Sequence, residues 1–207
     1  AGLIIIEAGS VLRMPENRDT LCLENDDCIP GIKSIADIIH HYSAVTLVQI
    51  MLTGLETMEE KEISEISRDD FLRYKEAFIS AAIRCQKAGA DILDVSSGIA
   101  RYSNIPNNFL YDSKIYAASL VKNHAHIPVI CVGNIFTGNI GESIIDNEYA
   151  DMIAVSRGHL SDPAWANKTL AGVPVNQCLQ CKNCLWWIDG NLCAARRKEK
   201  QKNGISS

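Results

Sequence analysis

Two apolar segments between residues 128 and 163 constrain the fold more than any other feature of this sequence. They cover residues 128–132 and 150–155, and residues 142–147 between them predict a short helix. Apolar strands that are separated by helices are typical of a parallel sheet with both faces covered. The stretch therefore predicts two successive βα units of an α/β protein.

Both apolar segments end in residues that are suited to binding a phosphate group. Gly133 and Asn134 follow the first segment, and Ser156, Arg157 and Gly158 follow the second. In a (β/α)8 barrel the loops after the last two strands form the usual phosphate site, where backbone N–H groups and a guanidinium group can hold a dianion. The same residues would also suit an ordinary pair of βαβ turns with a surface arginine, so both interpretations stay open.

Three further segments complete a set of five predicted strands. They cover residues 3–8, 45–51 and 90–97, and the second of them contains Gln49 near its end. A glutamine at such a position is either a satisfied core residue or a contact to a ligand. Five parallel strands do not close a barrel that normally needs eight, so we expect a TIM (β/α)8-type barrel that is incomplete in this chain. Helices are predicted at residues 32–42, 71–85 and 112–123, and a final helix is predicted from Ser161, Asp162 and Pro163 onwards.

Composition limits the class of partner and the compartment. The chain has 207 residues and a formal net charge of −5, which disfavours a nucleic-acid or anionic-membrane surface. No apolar run is long enough to span a bilayer. Of the eight cysteines, four are scattered singly and four lie close together near the end, which favours reduced thiols and one metal site. We therefore expect a cytoplasmic protein without nucleic-acid or membrane partners.

The four clustered cysteines form the most specific motif in the chain. Cys178, Cys181, Cys184 and Cys193 have the spacing C-x2-C-x2-C-x8-C, which suits a [4Fe–4S] cluster because one tight turn can reach three of its corners. Structural zinc sites more often use two separated C-x2-C pairs, so zinc is the second interpretation and four unliganded thiols the third. The sequence thus predicts a barrel-type domain over residues 1–172 and a cluster-binding tail over residues 173–207.

Several stretches together resemble a known family. They are GLIIIEAGSV, VTLVQIMLTG, ADILDVSSG, PVICVGNI, ADMIAVSRGHLSDPAWANK and CLQCKNC with a later cysteine in CAARRK. These stretches resemble the flavin-dependent barrels of the old yellow enzyme (NADH:flavin oxidoreductase) family, in particular its iron–sulfur branch with dienoyl-CoA reductases, enoate reductases and trimethylamine dehydrogenase. One departure is Ala194, because the family commonly has proline after the fourth cysteine.

The resemblance implies roles for individual residues. Gln49 would contact the pyrimidine edge of flavin mononucleotide (FMN), and the backbone of Ala8 would contact its ring. The family's H-G-A-H-G-Y-L segment is absent, and Leu52 stands where a histidine is usual. The catalytic acid is therefore unknown, and Tyr102 is the candidate for it. The FMN phosphate would be bound by Gly133, Asn134, Ser156 and Arg157.

The resemblance also implies an activity. It points to an oxidoreductase in which NAD(P)H supplies electrons and an activated C=C bond of a small molecule is reduced, with FMN and the [4Fe–4S] cluster as cofactors. An electron-donor protein, or a domain that carries FAD, would complete the electron-transfer chain. The sequence does not decide whether the protein forms a homo-oligomer. Two other hypotheses remain, namely a non-catalytic iron–sulfur module and an unrelated phosphate-binding barrel with a structural zinc tail.

The order of the matching stretches predicts that barrel units are missing. The chain opens inside a strand that resembles the second of the family, and the predicted helix at residues 71–85 runs straight into a strand that resembles the sixth. We therefore expect one βα unit to be absent before residue 1 and two between about residues 55 and 91. A genuine deletion would expose parallel strand edges, so we favour omission or truncation.

Overall fold

The computed structural model describes residues 2–11, 21–51, 68–96 and 105–202, without the side chains of residues 68–71, 73 and 74. The strands are β1 (Leu3–Ser10), β2 (Val45–Met51), β3 (Ile92–Ser96), β4 (Val129–Val132) and β5 (Met152–Ala154). The α-helices are α1 (Cys28–His41), α2 (Arg68–Lys87), α3 (Ser113–Lys122), α4 (Gly138–Asp146), α5 (Arg157–Ser161), α6 (Trp165–Leu170) and α7 (Ala194–Lys202). Short 3-10 turns lie at Leu185–Trp187 and Gly190–Leu192.

The strands form one sheet in the order β1-β2-β3-β4-β5, and the pairs β1/β2, β2/β3 and β3/β4 are parallel. Each strand thus pairs with the next strand in sequence, as in a (β/α)8 barrel, whereas a doubly wound sheet reverses its strand order. The predicted α/β class and the barrel-type strand order are confirmed. No helix among the described residues has both the length and the apolar character needed to cross a membrane.

The chain divides into two compact units. Unit 1 comprises Ala1–Gly133 and Asn147–Met152, and unit 2 comprises Asn134–Asp146 and Ile153–Ser207. The predicted domain boundary between residues 172 and 173 stays a prediction.

The core of unit 1 lies between the central strands and the buried faces of α1, α2 and α3. Helical spacing places Ile32, Ala36 and Ile39 on the buried face of α1. Two thiols in this core are deeply buried: burial raises the pKa of both Cys85 and Cys131 to about 12, which makes them inert at neutral pH. Other fully buried residues of this core are Phe78, Ala82, Val48, Ile50, Leu93, Val95 and Val129.

Two aspartates in unit 1 each make two hydrogen bonds to the backbone of a residue near the start of the neighbouring strand. The backbone N–H of Asp91 donates to the Thr46 carbonyl (2.9 Å), and Asp91 Oδ2 accepts the N–H of Thr46 (2.7 Å). Asp151 repeats this exchange with Val129, at 2.9 Å and 2.8 Å. We call Asp91 and Asp151 the strand-start aspartates; both precede a strand and set its register against the preceding one.

Each strand-start aspartate also binds a basic side chain of a helix. Asp91 lies 2.8 Å from His40 at the end of α1, and Asp151 lies 2.7 Å from Lys122 at the end of α3. Burial alone would raise the pKa of Asp91, but the Thr46 N–H and His40 bring it below its ordinary value. Ionised strand-start aspartates therefore connect strand, helix and following strand.

The helix boundaries differ from the predicted ones where a turn precedes the periodic pattern. Helix α1 begins at Cys28, four residues before the expected start, and α4 begins at Gly138 instead of residue 142. The helix expected from Ser161 begins at Trp165, because Asp162 is extended as the residue before Pro163. That helix is also not the final one, since α7 follows it.

Candidate functional site

The predicted flavin-contacting residues of unit 1 lie side by side on neighbouring strands. Ile6 pairs with Val48 and Gly9 pairs with Ile50, so that two residues of β1, one of them Ala8, face the single residue Gln49 of β2. Such a bulge sharpens the local twist and re-aims side chains, and bulges are common next to active sites. The structure therefore brings Ala8 and Gln49 together, as expected for two contacts to one ligand.

A third residue, Asp94, joins this pair and was missed in the sequence. Asp94 on β3 is the register partner of Gln49, and Gln49 Nε2 donates to Asp94 Oδ2 at 2.6 Å. The other carboxyl oxygen, Oδ1, is buried and has no hydrogen-bond partner among the described residues. Burial raises the pKa of the Asp94 carboxyl, and the hydrogen bond from Gln49 opposes that rise. The available signal was a carboxylate inside an otherwise apolar strand.

The turn after β4 has two residues in left-handed backbone conformations. Gly133 has φ +147° and Asn134 has φ +49°, two consecutive positive values. A Cβ on Gly133 would lie 3.0 Å from Asp112, the residue whose carboxylate caps α3 by accepting the Lys114 N–H. Glycine is therefore required here for both conformation and space.

In unit 2, Arg157 is held in place by two residues that follow β4. Its Nη2 donates to Asn134 Oδ1, and its guanidinium carbon lies 5.2 Å from the centre of the Phe136 ring. A guanidinium group has five N–H groups, and the contact with Asn134 uses one. Arg157 and Ser156 are both exposed. Unit 2 thus presents an oriented cation and a hydroxyl at one place, as the phosphate interpretation expects.

A buried network supports the short helix that carries Arg157. A Cβ on Gly158 would lie 2.6 Å from Val155 and 3.1 Å from Trp165, so the helix is packed against its neighbours too closely for a larger residue. The Trp165 indole N–H donates to the Phe136 carbonyl at 3.0 Å. Asp162, which is 2% exposed, accepts from Lys168 Nζ and from the backbone N–H groups of Ala164 and Asn176.

The four motif cysteines lie in unit 2 and are free thiols. Cys178 and Cys193 are half-buried, and Cys181 and Cys184 are exposed. The Gln180 N–H lies 3.5 Å from Cys178 Sγ, an N–H···S contact of the kind that tunes cluster ligands. Among the residues that the structure describes, no group of three or more His, Cys, Asp or Glu side chains is placed to hold a metal ion. The cluster therefore stays a prediction.

The surroundings of the cysteines nevertheless fit such a cluster chemically. Two N–H groups in this segment, Trp186 Nε1 and Arg196 Nε, are buried without a partner among the described residues. Buried donors are normally satisfied, and cluster sulfurs are acceptors that N–H groups stabilise. Four uncrosslinked thiols, in a segment that also contains two unpartnered N–H donors, are a suitable donor set for an iron–sulfur cluster. Tyr102 and Leu52 lie outside the described residues.

Comparison with protein families supports the resemblance that the sequence indicates. Residues 99–176 match the NADH:flavin oxidoreductase / NADH oxidase family. This region contains the turn at Gly133 and Asn134 and the segment at Ser156 and Arg157. The resemblance to the NADH:flavin oxidoreductases is confirmed.

Two curated relatives and one solved structure are similar to parts of the chain. An NADH oxidase of Thermoanaerobacter brockii is 35% identical over 103 residues, which cover 46% of this chain and 16% of the relative. A metal reductase of Desulforamulus reducens is 28% identical over 131 residues, covering 59% of this chain and 20% of the relative. The chain thus spans about a fifth of the length of these relatives.

The solved structure is histamine dehydrogenase from Rhizobium sp. 4-9. It overlays with a TM-score of 0.45 at 16% identity, covering 86% of this chain and 39% of that chain. An overlay this loose adds nothing to the fold described above.

Proposed function

We propose that this chain, whose residues 99–176 match the NADH:flavin oxidoreductase / NADH oxidase family, is part of an FMN-dependent oxidoreductase that takes electrons from NAD(P)H. One observation carries the proposal: Arg157 is fixed by Asn134, so that residues after two successive strands converge on one exposed guanidinium group. A cation oriented in this way suits the phosphate of FMN.

Each set of FMN contacts lies within a single unit. In unit 2, Arg157 and Ser156 would bind the phosphate, and Asn134 would hold the Arg157 guanidinium beside it. Gly133, the last residue before Asn134, would give the loop its backbone conformation. In unit 1, the bulge places the backbone of Ala8 beside Gln49, whose amide can bind the pyrimidine edge of a flavin. Bound flavin would supply hydride transfer, and these residues would bind and orient it.

The cysteine segment is proposed to hold a [4Fe–4S] cluster through Cys178, Cys181, Cys184 and Cys193. Support comes from their spacing, from the four free thiols and from the unpartnered N–H groups of Trp186 and Arg196. The cluster would exchange single electrons with a second carrier, either an electron-donor protein or an FAD-bearing domain.

The proposed substrate is a small molecule with an activated C=C bond, of the enoate or dienoyl type. This part of the proposal rests on the resemblance of the cysteine motif to the iron–sulfur branch of the family. The proton donor is unassigned among the described residues, and Tyr102 remains the candidate. The proposed location is the cytoplasm, because the motif needs reduced thiols.

The full chain, purified without oxygen, tests the proposal. Its visible spectrum, flavin content, iron, acid-labile sulfide and zinc would be measured, followed by NADH or NADPH oxidation with an α,β-unsaturated carboxylate. Flavin with iron and sulfide is the expected result. Iron without flavin, after FMN has been added, would favour a non-catalytic iron–sulfur module. Zinc without flavin would favour the phosphate-binding barrel with a structural zinc tail.

A further inference from the structure

The aspartates of this chain differ in how completely their carboxyl groups are satisfied. In Asp162, Oδ1 accepts the Ala164 N–H and Oδ2 accepts both Lys168 and the Asn176 N–H. In Asp151, Oδ1 binds Lys122 and Oδ2 accepts the Val129 N–H. Both carboxylates have a cation and a backbone N–H, as expected for residues that only stabilise the fold.

Asp94 has neither a cation nor a backbone N–H among the described residues. Its one hydrogen bond is the 2.6 Å contact from Gln49 Nε2 to Oδ2, while Oδ1 is buried and unpartnered within the described part of the chain. A buried acceptor without a donor is destabilising, so a purely structural role explains Asp94 poorly. Its place in the register, beside Gln49 and the bulge at Ala8, puts it at the candidate flavin contacts.

The contact with Asp94 restricts the Gln49 amide in two ways. An ionised carboxylate accepts hydrogen bonds only, so it selects the orientation of the amide that turns the NH2 group toward strand β3. Asp94 therefore binds the NH2 group of Gln49 and does not bind its carbonyl oxygen, Oε1. The hydrogen bond also holds a long side chain that would otherwise lose rotamer freedom on binding a ligand.

We propose that Asp94 is a positioning residue for ligand recognition: it orients the Gln49 amide so that Oε1 accepts the imide N–H of a flavin pyrimidine ring. This inference rests on the proposed function, because it takes FMN as the ligand. Asp94 does not need to contact the flavin itself. Its effect passes through Gln49, so it should depend on whether the ligand carries that N–H group.

The test compares FMN with N3-methyl-FMN, which lacks the imide N–H, in titrations of the full chain freed of flavin. The wild type should bind FMN more tightly than the methylated analogue. Asp94→Val removes the acceptor and should weaken FMN binding about three- to tenfold, with a smaller preference for FMN over the analogue. Asp94→Asn keeps an acceptor but allows both amide orientations, and should stay within about twofold of the wild type.

Asp91→Asn is the matched control, because Asp91 lies at the other end of the same strand pair and has no contact with Gln49 among the described residues. It should lower the thermal unfolding midpoint and leave the preference for FMN unchanged. If Asp94→Val does not give a cooperative unfolding transition, Asp94→Ala removes the same acceptor with a smaller side chain and takes its place.

Three results would overturn the inference. In the first, the valine or alanine variant loses affinity for both flavins equally, which would make Asp94 a structural residue. In the second, Asp91→Asn reduces the preference as much as the Asp94 variants do. In the third, the wild type binds FMN and N3-methyl-FMN equally well. If the wild type binds neither flavin, the proposed function fails and the role of Asp94 fails with it.

Discussion

Arg157 is the side chain on which the proposed phosphate site depends most directly. A charge-assisted hydrogen bond contributes about 1.5–3 kcal/mol, so Arg157→Ala should weaken FMN binding roughly ten- to a hundredfold. Arg157→Lys keeps the charge but loses the planar arrangement of N–H donors. Its affinity for FMN should therefore lie between those of the wild type and Arg157→Ala. Fluorescence titration of FMN measures all three proteins.

The control for this prediction is Arg197→Ala, which removes an exposed arginine from α7 in the same unit. Its FMN affinity should equal that of the wild type. Equal affinity in Arg157→Ala and Arg197→Ala would contradict the phosphate site and favour the interpretation of an ordinary βαβ turn with a surface arginine.

The charge of Asp94 should make a measurable, pH-dependent contribution to stability. Burial raises the pKa of Asp94 in the folded state above its ordinary value of 3.8, so the folded state binds more protons than the unfolded state between those two pKa values. Stability is therefore lost as the pH rises through this window, and the loss is complete above the folded pKa. Asp94→Asn should be more stable than the wild type at neutral pH, and the gain should shrink as the pH falls through the raised pKa of Asp94.

Asp91→Asn should behave in the opposite sense, because the pKa of Asp91 is lowered in the folded state. The stability that ionised Asp91 provides is present above its ordinary pKa and is lost as the pH falls through the folded one. This variant should be less stable at neutral pH, with a gap that narrows in acid. Urea unfolding at several pH values measures the free energy of unfolding of both variants relative to the wild type. If the difference between Asp94→Asn and the wild type does not change with pH, the prediction of a buried charge at Asp94 is contradicted.

At the scale of elements, the cysteine segment makes the sharpest prediction. Each thiolate supplies one corner of a [4Fe–4S] cluster, so Cys184→Ser should lose most of the iron and acid-labile sulfide. Cys28→Ser is the matched control, since Cys28 is a half-buried free thiol outside the motif whose Sγ donates to the Asn25 carbonyl, a bond that serine can also make. Full metal content in Cys184→Ser would rule out the four-cysteine assignment.

The strands and helices could largely be predicted from local patterns. The five strand positions follow from runs of apolar and β-branched residues, and their observed bounds lie within two residues of the predicted ones. Helix α7 was missed, because AARRKEKQK has no apolar period and reads as a solvated basic end. The contact between Gln49 and Asp94 was also missed. It depends on the register of two strands that are far apart in sequence, which no local pattern encodes.

The candidate site could be predicted only in part for the same reason. Asn134 and Arg157 were placed together because they follow successive strands of a parallel sheet, whose carboxyl ends share one edge. The geometry of the four cysteines does not follow from spacing alone. It depends on the path of the loop from Cys184 to Cys193, and that part of the prediction remains to be tested.

At the scale of the whole molecule, the described sheet has an apolar edge strand, β1. It is the first strand in the sheet order, and Leu3, Ile4 and Ile5 are exposed there. Exposed apolar edge strands pair with other chains. In the 207-residue chain studied by itself, Ile5→Lys should therefore reduce concentration-dependent self-association, measured by light scattering.

Ile38→Lys provides the comparison, since Ile38 on α1 is 59% exposed and Ile5 is 60% exposed. A helix surface has no unpaired backbone groups to template a strand, so the lysine at residue 38 should change association less than the lysine at residue 5. If the two lysines reduce self-association equally, the association arises from exposed apolar side chains in general and not from the strand edge.

The strand-start aspartates make individual βα units exchangeable. Asp91 and Asp151 carry, just ahead of their own strands, the groups that set the register with the preceding strand. A graft that begins at Ala90 or Ala150 would bring its own register-setting group and would leave the strands before it unchanged. Chimeras with βα units from related barrels should therefore tolerate junctions immediately before these aspartates better than junctions placed after them, where the incoming unit would lack the carboxylate that aligns it.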